Sequence, residues 1–167
     1  AFVQPVVAVM VYWFGFRMIR SSSPRPVPFV LWLIAGLIPW FFFQDGLING
    51  TNALLEYNYL VKKVVFRIDI LPMVKVVSAV FVHLFFILVA LILYTAMGCY
   101  PTVYTIQVIY YTFCIFVLVL GITYMTSSVV VFFRDLTQVI NIALQVGVWM
   151  TPIMWSMEDL GITGILA

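Results

Sequence analysis

Met73–Met97 reads MVKVVSAVFVHLFFILVALILYTAM, and apart from Lys75 near its start and His83 within it, the run carries no charged or imidazole side chain. At a rise of about 1.5 Å per residue, a helix of this length crosses the roughly 30 Å hydrocarbon core of a bilayer. Composition settles whether the run is a soluble core or a membrane span. The 167 residues are 65% hydrophobic and only 8% charged, with mean hydropathy +1.18. A soluble domain carries about 25% charged residues, so this chain cannot cover a water-facing surface. Transmembrane β-strands would alternate polar and apolar positions over about ten residues, whereas the apolar runs here are continuous. The fold class is all-α, a polytopic helical membrane protein.

Outward from that run the chain divides readily. Gly98-Cys99-Tyr100-Pro101-Thr102 is an uncharged tight turn, and Val103–Phe133 a fourth span, long enough to tilt or project. Arg134-Asp135 marks the next turn. Leu136–Trp155 is a fifth span with Pro152 near its end, and Met157-Glu158-Asp159 leaves the membrane. Toward the amino terminus, Phe29–Phe43 is a second span in which Pro39 removes a backbone donor and is expected to kink the helix. Ser21–Pro28 is a breaker-rich loop, and Ala1–Phe16 a first span, slightly short, closed by Arg17 and Arg20. Ala1 begins inside an apolar run without a basic leader, so the expectation is a fragment of a longer chain rather than a signal peptide. Alternating loops put Lys62, Lys63, Arg67, Lys75 and Arg134 on one side and Arg17, Arg20 and Arg25 on the other. The positive-inside rule assigns the first side to the cytoplasm.

Between the second and third spans lies a polar island, Asn49–Pro72, NGTNALLEYNYLVKKVVFRIDILP. Asn49, Thr51 and Asn52 offer N-cap side chains for a short helix running to about Val65. Leu54, Tyr57, Val61 and Val64 or Val65 then share one face, and Asn52, Glu56, Tyr59 and Lys63 the other. Such a helix could rest on lipid headgroups or press into a groove on a soluble partner. Periodicity alone does not separate the two. Its place between two spans, at a short cytoplasmic connection, favours docking.

The chain has no Gly-x-x-x-x-Gly-Lys-Ser/Thr phosphate loop, no Cys/His cluster at metal-ligand spacing and no recognisable catalytic site. Two cysteines, Cys99 in a turn and Cys114 deep in an apolar run, make no disulfide framework. His83 has no acidic neighbour in sequence, so an interhelical hydrogen bond is its simplest role. In the fifth span Gln138, Asn141, Gln145 and Trp149 recur at three- or four-residue spacing. That stripe either bonds neighbouring helices or walls a hydrated path, where amides meet sugar hydroxyls and an indole stacks on sugar rings. Aromatic residues close the first span (Tyr12, Phe16) and the second (Trp40, Phe43), as interfacial belts do. These four join the stripe as candidate path-lining residues.

Five segments in fixed order then carry a resemblance: Gly36–Phe43 (GLIPWFFF), Asn58–Phe66 (NYLVKKVVF), Ile70-Leu71-Pro72, Phe132-Phe133-Arg134-Asp135 and Thr151-Pro152-Ile153. Together they resemble the permease subunit of ABC-2 type (type V exporter-like) polysaccharide exporters, which move O-antigen, capsule or teichoic acid precursors. The resemblance implies six spans, five of them visible here, with an amino-terminal amphipathic helix and the last span lying outside this stretch. External gate helices would begin near Met157. It implies a homodimer paired with two copies of a separate ATPase that holds ATP and magnesium, no cofactor or enzymatic activity on this chain, a lipid-linked glycopolymer as substrate, membrane lipid around it and no nucleic acid. A coupling helix would lie at about residues 51–66, with Leu54, Tyr57, Asn58, Leu60, Val61, Lys62 and Lys63 docking on the ATPase. The Arg17–Pro28 loop would be external, an exception to the charge rule. Open alternatives are an ABC-2 exporter of drugs or lipids, a membrane enzyme acting on lipid-linked sugars, and a scaffold or channel without an energy source.

Overall fold

A computed structural model describes residues 3–19, 29–63, 67–98 and 100–150. The elements are α1 (Val3–Ile19), α2 (Phe29–Glu56), α3 (Asn58–Lys63), α4 (Ile70–Ala96), a 3-10 turn (Val103–Thr105), α5 (Ile106–Val130) and α6 (Leu136–Met150). No strand occurs among the described residues. By length and composition α4, and α5 with its leading turn, can cross a membrane, while α6 is a shorter apolar helix. Their outward faces are apolar: Phe81 is 70% exposed, Leu88 56% and Phe113 63%. Such side chains suit hydrocarbon, and in water a continuous face of them would be an association site.

Helix α2 is the axis of the bundle and packs against α1, α4, α5 and α6. Three buried clusters follow one another along it. Leu33 and Leu37 meet Val9 of α1 and Val148 of α6. Phe42 meets Val76 and Ala79 of α4 and Val119 of α5. Leu47 meets Ile140 and Leu144 of α6. Two glycines one turn apart bring α5 close. A side chain on Gly46 would come within 2.9 Å of Val119 Cγ1, and one on Gly50 would overlap Thr123. Small residues at this spacing let membrane helices approach at backbone distance. The buried Thr123 hydroxyl has no hydrogen-bond partner, and its methyl is the group that a side chain on Gly50 would strike first.

The helix boundaries depart from the expectation in one important place. The second span does not stop at Phe43; α2 runs on to Glu56, through Pro39. Asn49, Thr51 and Asn52 therefore lie mid-helix and cap nothing. Such side chains compete with the helical backbone only when they lack better partners, and here each has one. Asn49 Nδ2 donates to Asp45 Oδ1 at 2.7 Å, while Thr51 and Asn52 bond to other helices. The helix that does lie in the island is short, Asn58–Lys63, entered through the turn residue Tyr57.

Elsewhere the reading holds closely. Pro72 sits in the first turn of α4, where its missing N–H costs nothing. That helix ends at Gly98, whose φ of +82° and N–H bond to the Thr95 carbonyl (3.1 Å) form a left-handed stop. The fourth span begins as the 3-10 turn and ends at Val130, three residues before the expected Phe133. Residues 20–28 and 151–167, with the breaker loop, the Thr151-Pro152-Ile153 motif and the expected gate helices, lie outside the described residues.

Candidate functional site

Among the described residues, the end of the bundle carrying α3 gathers most of the side-chain hydrogen bonds between helices. Glu56, the last residue of α2, accepts a hydrogen bond from Lys75 Nζ of α4 at 2.6 Å. The same ammonium lies 5.2 Å from the Tyr57 ring centroid. With Lys75 24% exposed and Glu56 47%, the pair contributes about 0–1 kcal/mol, and the cation–π contact about 0.5–1 kcal/mol. Geometry is its main contribution. It ties the turn after α2 to the first turns of α4. Tyr124 of α5 reaches the same corner, its hydroxyl donating to the Asp69 carbonyl at 2.9 Å.

Below this corner Thr51 and Thr126 of α5 have hydroxyl oxygens 2.7 Å apart. The Thr126 hydroxyl is also 3.0 Å from the Ile122 carbonyl of its own helix. A hydroxyl has one proton, so Thr126 spends its proton on Ile122 and Thr51 is the donor between the helices. Thr137 of α6 donates to Asn52 Oδ1 at 2.9 Å. Hydrogen bonds of this kind between membrane helices average about 0.6 kcal/mol.

Of the expected docking residues, Leu54 and Tyr57 are half-buried, on the α2 end and the turn, while Asn58, Lys62 and Lys63 on α3 are exposed. Tyr59, from the opposite face of the expected helix, is 59% exposed. The side chains of Leu60 and Val61 lie outside the described residues. In place of one amphipathic helix over about residues 51–66 there are two pieces: a helix end fixed to the bundle, and the short helix α3 beyond it with Asn58, Tyr59, Lys62 and Lys63 exposed.

The stripe on α6 keeps its single face. Gln138, Gln145 and Trp149 are exposed and Asn141 half-buried, opposite the buried Ile140 and Leu144. Trp40 and Phe43 are placed differently, with ring centroids 5.8 Å apart. Trp40 lies against Gly147 of α6, and both rings pack on the Leu47–Ile140–Leu144 cluster in the α2–α6 seam. Tyr12 and Phe16 lie on α1, and their side chains are outside the described residues. A cleft of about 420 Å³ opens between α1, α2 and α4, and one of about 840 Å³ between α2, α4 and α5. Both are walled mainly by aliphatic and aromatic side chains, and the stripe lines neither.

Sequence reading missed the pairings of Glu56 with Lys75, Thr51 with Thr126 and Asn52 with Thr137. It also missed Gly46-x-x-x-Gly50, a spacing that was legible as a close-packing signal. Among the described residues no group of three or more His, Cys, Asp or Glu could hold a metal ion.

No protein-family model matches the chain. An O-antigen export system permease protein of Myxococcus xanthus is 24% identical over 159 residues, covering 95% of this chain and 60% of that protein. Its counterpart from Klebsiella pneumoniae is 26% identical over 159 residues, covering 93% of this chain and again 60% of the relative. The chain thus spans about 60% of the length of the curated relatives it matches. Along nearly all of its own length this all-α chain is similar to O-antigen export permeases, the kind of protein that its five ordered motifs resemble.

Proposed function

We propose that this chain is part of the membrane-embedded permease of an ATP-driven ABC exporter that moves a lipid-linked polysaccharide or teichoic acid across the bacterial cytoplasmic membrane. The observation that carries the reading is likeness to O-antigen export permeases over 95% of the chain. The apolar outward faces of α4 and α5 and the exposed polar helix α3 are what such a protein requires. The permease itself makes and breaks no bond. ATP and magnesium bind a separate ATPase, present in two copies, and two permease copies enclose the path.

In this reading α3 and the turn at Tyr57 are the docking element, on the cytoplasmic side with Lys62, Lys63, Arg67 and Arg134. The Gln138–Trp149 face of α6 is a wall of the path. Its amides bond hydroxyls and its indole stacks on sugar rings without offering a charge that would hold the polymer too tightly. A second copy placed against this face encloses the channel.

The test is made at α3. Leu60→Asp together with Val61→Asp, in the full-length protein, is expected to abolish both copurification of the ATPase and export, since desolvating two carboxylates in a docking groove is costly. Survival of both would overturn the docking assignment.

A further inference from the structure

Three side chains on the last two turns of α2 each reach a different helix: Thr51 to Thr126 of α5, Asn52 to Thr137 at the start of α6, and Glu56 to Lys75 of α4. We infer that Thr51, Asn52 and Glu56 are positioning residues that lock α2, α4, α5 and α6 into one body at the α3 end, so that a push on α3 moves all four together and the path opens at a boundary outside that body. This rests on α3 being the docking element proposed above.

The connection from α3 into the body is short. Only Tyr57 separates α3 from α2, and its N–H still bonds to the Ala53 carbonyl at 3.2 Å, so the turn continues the helix rather than swivelling freely. Thr51 is 1% exposed. Parting α2 from α5 would strand its proton in a nonpolar setting, a cost that disfavours opening there. Gly50 against Thr123 and Gly46 against Val119 add close contact along the same seam, where sliding meets side chains at once. The outer face of α6 is exposed and polar at Gln138 and Gln145, unlike the apolar outer faces of α4 and α5. Motion of the body as a whole changes the distance from that face to whatever lies opposite.

The experiment uses the full-length permease with its ATPase in proteoliposomes, with every native cysteine, Cys99 and Cys114 among them, replaced by Ser as background. Thr51→Cys with Thr126→Cys places two thiols where the native hydroxyl oxygens are 2.7 Å apart. Asn52→Cys with Thr137→Cys, tested separately, places one thiol at the Thr137 hydroxyl and the other one bond short of the Asn52 amide oxygen that lies 2.9 Å from it. The first pair therefore needs the smaller adjustment to reach disulfide geometry. Oxidation should cross-link each pair and hold export per ATP hydrolysed at or above the value of the reduced variant. Loss of export while hydrolysis continues would mean that the seam opens in the cycle and would overturn the inference. Failure of both pairs to cross-link would overturn it as well. As a second arm, Thr51→Val with Asn52→Leu should keep the ATPase bound and hydrolysing while export per ATP falls about threefold to tenfold, the size expected for losing two such interhelical bonds. Unchanged export per ATP would return these residues to ordinary packing. A wild-type permease that purifies without an ATPase is a different result, and overturns the docking reading beneath this one.

Discussion

His83 is the buried histidine of α4. Its ring lies 4.8 Å from that of Phe42 on α2, its Nε2 is 3.4 Å from Thr112 Oγ1 on α5, and it borders both clefts. The Thr112 contact is long, hence weak, and the buried Nδ1 has no hydrogen-bond partner. Packing therefore outweighs polarity at this residue. His83→Ala should cost about 2 kcal/mol through the cavity it leaves, and His83→Phe much less, as read from thermal unfolding in detergent. A stable His83→Ala protein that has lost export would instead give the imidazole a part in transport. Gly46 makes the opposite case, a site with no room. Gly46→Ala puts a methyl within 2.9 Å of Val119 Cγ1 and should cost about 1–3 kcal/mol by overpacking. Val119→Ala in the same chain should recover most of that loss, since the two sites touch and are not additive.

At the scale of elements, α6 and α3 carry the functional reading. On α6, Gln145→Leu with Trp149→Leu should lower export several-fold while assembly with the ATPase is unchanged. Full export from that variant would make the stripe a lipid- or helix-contact face only. The stripe was legible in the sequence because Gln138, Asn141, Gln145 and Trp149 obey the helical period, and a period survives folding. The end of α2 was not legible. Asn49, Thr51 and Asn52 are good caps in isolation; Asp45, one turn earlier, engages Asn49, and only the arrival of Thr126 and Thr137 from distant parts of the chain makes Thr51 and Asn52 good helix-interior residues. Local preference yielded to partners that sequence spacing cannot display. The packing of Trp40 and Phe43 was illegible for a related reason: the notch that Gly147 supplies for the indole lies about a hundred residues later in the chain. The turns at Gly98 and Arg134-Asp135 and the start of α4 at Pro72 are set by local chemistry, and they stand where the sequence puts them.

For the whole molecule, the proposed function divides the described surface into three uses: lipid for the apolar exterior of α4 and α5, motor for the polar corner around Glu56 and Lys75 with α3, and polymer for the one-sided stripe on α6. The account joins them in one cycle, in which an ATPase grips α3, the four-helix body moves, and the α6 faces of two copies part around a glycopolymer. Its central claim is that transport by this permease requires both the ATPase and ATP. The most direct measurement reconstitutes the full-length permease, with the ATPase that copurifies with it, in proteoliposomes loaded with a lipid-linked O-polysaccharide, and follows the glycan's passage across the bilayer. The account predicts movement with ATP and magnesium, and none with a non-hydrolysable analogue or with the ATPase left out. Glycan movement that persists without the ATPase, or a permease that neither binds an ATPase nor moves the glycan with ATP present, would contradict it.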